Sequence, residues 1–141
     1  MTPRINFVTL GVTDVGRATR FYEKLGLKKS SAGDENVSFF DVNGVVLALF
    51  DQASLAHDAR MEATPLPAFR GMSLAWNAAS EAEADAIFAH ALSCGATSVK
   101  PLEKVFWGGY SGYFADPDDH LWEVAYNPLF PLSPEGRVQL P

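Results

Sequence analysis

The stretch SGYFADPDDHLWEVAYNP, residues 111–128, decides how this chain is read. Alternating apolar and aromatic residues on either side of Asp116-Pro117-Asp118-Asp119 predict a strand, a tight turn and a second strand. One carboxylate, Glu123, stands in the otherwise apolar second run. An acid in that setting is a metal ligand, a proton acceptor or a polar anchor, and the rest of the chain has to choose among them.

Working outward, the same order of elements is written twice. Residues 5–12, INFVTLGV, alternate as a strand, and Thr13-Asp14 offers a helix N-cap. Val15, Ala18, Phe21, Tyr22 and Leu25 then recur at helical spacing, with Gly26 closing the helix. The runs LKKSS, NVSFFDV and VVLALFD follow as strands, the last two joined by an Asn43-Gly44 hairpin turn. From residue 70, GMSLAWN repeats the opening strand, and Ser80 with Glu83 predicts a capping box. A helix carrying Ala84, Ile87, Phe88, Ala91 and Leu92 ends at Gly95, and TSVKP, GYSGYFAD and LWEVAYN complete the second set.

The expected class is therefore α+β, with two tandem βαβββ modules forming a pseudo-symmetric curved sheet, helices outside and a concave cavity inside. A single domain over residues 1–141 divides into module one at 5–52, a polar and proline-bearing linker at 53–69, module two at 70–128 and a tail at 129–141.

Composition narrows the function classes. A formal net charge of -6 makes nucleic acid a poor partner. No apolar run approaches the roughly 20 residues that span a bilayer, and MTPRINFVTLGV lacks the order of a signal peptide. The one cysteine, Cys94, cannot form an internal disulfide, so a reducing, cytoplasmic setting is expected. Asp116, Asp118 and Asp119 lack the long alternating loop and terminal Glu of a calcium-binding hand and read as a solvated turn.

FVTLGVTDVGRATRFYEKLGL at residues 7–27 and GYFADPDDHLWEVAYNP at 112–128 together resemble the vicinal oxygen chelate superfamily, which includes glyoxalase I, bleomycin-resistance proteins and extradiol dioxygenases. Asp119 stands where the family usually has Gly, which predicts a left-handed turn residue. In metal-dependent members each module supplies two ligands, one from its first strand and one from its last. The resemblance places those positions at Phe7, Ala48, Met72 and Glu123, of which Glu123 alone has a ligand suited to a hard divalent ion. No metal and no other cofactor is accordingly expected, and a homodimer is implied because family members commonly pair.

Strand alternation assigns Leu121, Glu123, Ala125 and Asn127 to the cavity, with Phe7, Thr9, Ala48 and Phe50 from module one and Met72, Leu74 and Trp76 from module two. Trp107 and Tyr110, beside Gly108 and Gly109, are expected at its rim, and Arg4, Lys100 or Lys104 as partners of Glu123. Two functions fit. One is a metal-independent protein binding a small aromatic or cationic compound against Phe7, Thr9, Ala48, Phe50, Met72, Trp76, Trp107, Tyr110 and Asn127. The other is a lyase or isomerase resembling glyoxalase I with Glu123 as its general base. A third reading fills the cavity with the chain's own side chains.

Overall fold

An amphipathic helix and an alternating strand bury complementary faces, and each half of the chain solves this in the same way. The computed structural model describes residues Met1–Pro141 and divides into compact units at Met1–Pro67 and Ala68–Pro141. The first contains β1 (Phe7–Val12), α1 (Val15–Leu25), β2 (Lys29–Gly33), β3 (Val37–Val42), β4 (Val45–Asp51) and α2 (Gln52–Asp58). The second contains β5 (Leu74–Ala78), α3 (Glu81–Ser93), β6 (Thr97–Lys104), β7 (Tyr110–Ala115) and β8 (Leu121–Tyr126). The sheets run β1-β4-β3-β2 and β5-β8-β7-β6, so the tandem βαβββ architecture is present in both sequence order and pairing. In each sheet the outer module strand pairs parallel, β1 with β4 and β5 with β8, and the other pairs are antiparallel.

In the first unit, Asp14 caps α1 by accepting from the Arg17 N–H at 2.9 Å. Val15, Ala18, Thr19, Phe21, Tyr22 and Leu25 form its buried stripe, packed on β3 and β4. Tyr22 and Phe40, both fully buried, anchor this core with ring centroids 6.3 Å apart. The Thr19 hydroxyl donates to the Val15 carbonyl at 2.6 Å and meets the Ser38 hydroxyl at 2.8 Å, which satisfies two buried polar groups. Asn43 and Gly44 both have positive φ, 55° and 93°, giving the tight β3–β4 hairpin turn that matches strand twist.

The predicted linker is not all irregular. Its first residues form α2, because Asp51 accepts from both the N–H and the hydroxyl of Ser54, at 2.9 and 2.8 Å, and Pro65 and Pro67 fall beyond the helix.

In the second unit, Ser80 accepts from the Glu83 N–H at 3.1 Å, and the Glu83 carboxylate accepts from the Ala79 N–H. The buried residues of α3 are Ala84, Ile87, Phe88 and Ala91. Phe88 packs edge-on to Phe114 with centroids 6.4 Å apart, and Phe114 stacks on Trp122 at 6.0 Å. β6 runs past the expected TSVKP to Lys104. It carries Pro101 because it is an edge strand with irregular register between Ser98 and Glu103, where a missing N–H is tolerated. The tail folds back on itself, with the Ser133 N–H donating to the Arg137 carbonyl at 2.8 Å and a bridge between Leu132 and Val138. No helix is long and apolar enough to cross a membrane.

Candidate functional site

The Asp-Pro-Asp-Asp turn sets the register of the β7–β8 hairpin. The buried Asp116 carboxylate accepts from the Asp118 N–H at 2.8 Å and the His120 N–H at 2.9 Å. Asp119 takes φ 64°, the left-handed conformation expected of it. Arg70 donates to the Asp118 carbonyl at 2.8 Å and contacts His120 Nδ1 at 3.1 Å, holding the turn from outside the hairpin.

That register places Tyr113 directly opposite Glu123, and Ser111 opposite Ala125. Side chains of paired residues share a face, so Glu123, Tyr113, Ser111 and Ala125 stand together on one side. Trp122, Val124 and Phe114 bury themselves on the other, under α3. Glu123 is half-buried, and the Tyr113 hydroxyl donates to its Oε2 at 2.9 Å. Burial first, then this bond and the carboxylate's charge, push the Tyr113 phenol above its usual value.

Neither expected lysine is the partner of Glu123. Lys100 pairs with Glu103 at 3.2 Å and Lys104 with Glu81 at 3.6 Å. Glu123 thus carries the one lining charge with no oppositely charged protein partner.

β6 comes unusually close to β7. A Cβ at Gly112 would lie 2.7 Å from the Lys100 carbonyl oxygen and 2.8 Å from the Leu102 nitrogen, so only glycine fits between these backbones. The loop after β6 is closed by a bond from the Val105 N–H to the Gly109 carbonyl at 3.0 Å. Within it the Trp107 indole lies on Gly109, where a Cβ would fall 1.6 Å from a ring carbon, and Phe106 is fully exposed. Together these groups line a cleft of about 520 Å³, with Glu123, Tyr113 and Ser111 from the sheet and Lys100, Phe106 and Trp107 at its sides. The Ser111 residue is buried, at 4% exposure.

Of the residues expected around Glu123, Trp107 joins this cleft and several others do not. Tyr110 lies an odd number of positions from Tyr113 and points to the helix side, where its hydroxyl donates to Asp85 Oδ1 at 2.6 Å. That bond leads, ahead of burial and the neighbouring carboxylates, in raising the Tyr110 phenol. The first strand of module two is also read one residue out of phase. Its parallel register sets Ala75 beside Glu123 and Trp76 beside Val124, so Leu74 and Trp76 belong to the helix side. Met72 precedes β5 and is half-exposed. A one-residue slip moves every side chain to the opposite face, and the apolar residues on both parities of GMSLAWN conceal it. Asn127 follows β8 and accepts from the Leu129 N–H at 2.9 Å, capping the turn into the tail.

In the first unit the alternation reads in phase. Phe7, Thr9, Ala48 and Phe50 share one face, as Thr9 pairs with Ala48 and Gly11 with Phe50. Phe39, opposite Ala48, meets Phe7 edge-on at 6.1 Å. The pair Phe39 and Ala48 occupies the place in the first sheet that Tyr113 and Glu123 occupy in the second, and so that face is apolar.

The family's metal positions do not carry a fitting donor set. Phe7 and Ala48 have no donor, Ala75 is the β5 neighbour of Glu123, and no three His, Cys, Asp or Glu side chains gather into a metal-holding group. Tyr113, Ser111 and Glu103 were missed in the sequence. The signal for Tyr113 and Ser111 was available by counting back from the turn, since Ala115 opposite Leu121 puts Tyr113 opposite Glu123.

The two-module fold is shared with known proteins. Residues 4–124 match the model of the Glyoxalase/Bleomycin resistance protein/Dioxygenase superfamily. A glyoxalase-related enzyme from Fulvimarina pelagi superposes with a TM-score of 0.87 at 30% identity, over 99% of both chains. Lactoylglutathione lyase from Agrobacterium tumefaciens shares the fold, with a TM-score of 0.69 at 22% identity over 90% of this chain and 96% of that one. Metallothiol transferase FosB from Shouchella clausii (strain KSM-K16) is 28% identical over 125 residues, covering 88% of this chain and 80% of that protein. With two βαβββ modules and a family match over most of its length, the chain belongs to the glyoxalase/bleomycin resistance protein/dioxygenase superfamily.

Proposed function

We propose that this protein binds a small aromatic cation, without a metal, in the cleft of its second unit. The observation supporting this is the Glu123 carboxylate, held by Tyr113 at 2.9 Å and lacking an ion-pair partner, in a cleft that also presents Phe106 and Trp107. A ring stacks on such side chains, and a half-buried carboxylate beside them favours positive charge. The alternative, Glu123 as the general base of a lyase or isomerase, draws less support. One of its oxygens is already engaged by the Tyr113 hydroxyl, and no group placed to stabilise a developing oxyanion stands beside it.

The test is a pair of ligands of one ring system, 1-methylquinolinium and neutral quinoline, titrated at pH 6 against the tryptophan fluorescence of the protein. The cation is expected to bind about tenfold more tightly, and Glu123→Gln to remove that preference while leaving quinoline binding in place. Equal affinity for the two ligands, or no saturable binding of either, would overturn the proposal.

A further inference from the structure

We infer that Ser111 is a ligand-binding residue, and that the compound it helps select is a nitrogen cation carrying at least two N–H donors, such as an amidine or a primary amine. This rests on the reading that the cleft receives a cation, and adds which cation. Ser111 lines the cleft, is 4% exposed, and its hydroxyl has no hydrogen-bond partner from the protein. The hydroxyl is not among the side-chain atoms sealed from water without a partner, so it reaches the cleft and is open to a molecule held there.

The surroundings say which kind. Ser111 is two residues from Tyr113 on β7 and diagonal to Glu123 on the same face. The Tyr113 proton is already donated to Glu123 Oε2, and the Lys100 and Lys104 ammonium groups are paired with Glu103 and Glu81. On this face the second Glu123 oxygen is left to accept, and the Ser111 hydroxyl can accept as well as donate. A quaternary ammonium answers the charge of Glu123 but leaves Ser111 unpaired. A cation with two N–H groups answers both, and a site built to hydrogen-bond such a group discriminates strongly against an analogue without it.

The experiment compares 1-methylquinolinium with protonated 2-aminoquinoline at pH 6, on the wild-type protein and on Ser111→Ala and Ser111→Cys, each checked for an unchanged unfolding temperature. In the wild type the amino compound is expected to bind about tenfold more tightly, and both substitutions to cut that advantage below about threefold without changing 1-methylquinolinium affinity. Ser111→Ala shrinks the side chain and Ser111→Cys enlarges it, and both weaken or remove its hydrogen bonding, so agreement between the variants separates bonding from packing. Equal affinity in the wild type, or an advantage surviving both substitutions, overturns this inference and leaves the cation-binding reading standing. Failure of both cations to bind overturns the two together.

Discussion

Replacing Tyr113 by Phe removes one hydroxyl from the molecule and leaves the ring where it is, so it isolates the bond to Glu123. That bond is 2.9 Å long and joins a phenol to a carboxylate, both half-buried in the same face of the sheet. Hydrogen bonds to a charged group contribute roughly 1.5–3 kcal/mol when protected from water. Both residues face an open cleft and water competes for each, so about 1 kcal/mol is the expected coupling. It is measured by a double-mutant cycle of Tyr113→Phe, Glu123→Leu and the double variant, each unfolded in urea. In a chain of 141 residues a change of this size moves the thermal midpoint by roughly 3–5 °C. Glu123→Leu is used because glutamine would keep an acceptor for the phenol. Strict additivity, with a coupling under about 0.3 kcal/mol, would refute the claim that Tyr113 holds Glu123 in place.

Further outcomes follow from the same geometry. Gly112→Ala drives a Cβ against three backbone atoms of β6, at 2.7–2.9 Å, and is expected to cost about 2 kcal/mol or more in urea unfolding; a neutral result would mean that β6 does not approach this closely. Asp119→Gly relieves a side chain held at φ 64° and should raise stability by about 0.5 kcal/mol, read as a small upward shift in the thermal midpoint. Tyr113 has its pKa raised in the folded state, so the stability it contributes is complete below the unfolded value near 10 and is lost as pH rises through the folded one. Ultraviolet titration of the four tyrosines should show Tyr113→Phe deleting a late-ionising phenol, and unfolding above pH 10 should become less pH-dependent in that variant.

The local signals in this chain were strong enough to place its elements. Asp14 and Ser80 cap the helices they were expected to cap, Asn43 and Gly44 make the tight turn, and Asp119 is left-handed without a glycine. These are short-range effects, decided by a residue and its neighbours within a few positions. Within the expected linker the Asp51 cap starts α2, another short-range effect, which a composition dominated by polar residues with Pro65 and Pro67 does not display.

The candidate site was legible only in part, because it depends on strand pairing. Sequence alone determined two βαβββ modules, an amphipathic helix in each and a solitary Glu123 among apolar neighbours, since periodicity and turn chemistry are written residue by residue. Which side chains meet Glu123 was decided by tertiary structure. Alternation gives each strand two equivalent faces, and only the hydrogen-bonded register with β5 and β7 chooses between them. That register sends Trp76 and Tyr110 to the helices and brings Tyr113 and Ser111 to the carboxylate. A bulged edge strand then supplies Lys100 and Glu103 beside them, through an irregularity that no periodic pattern encodes.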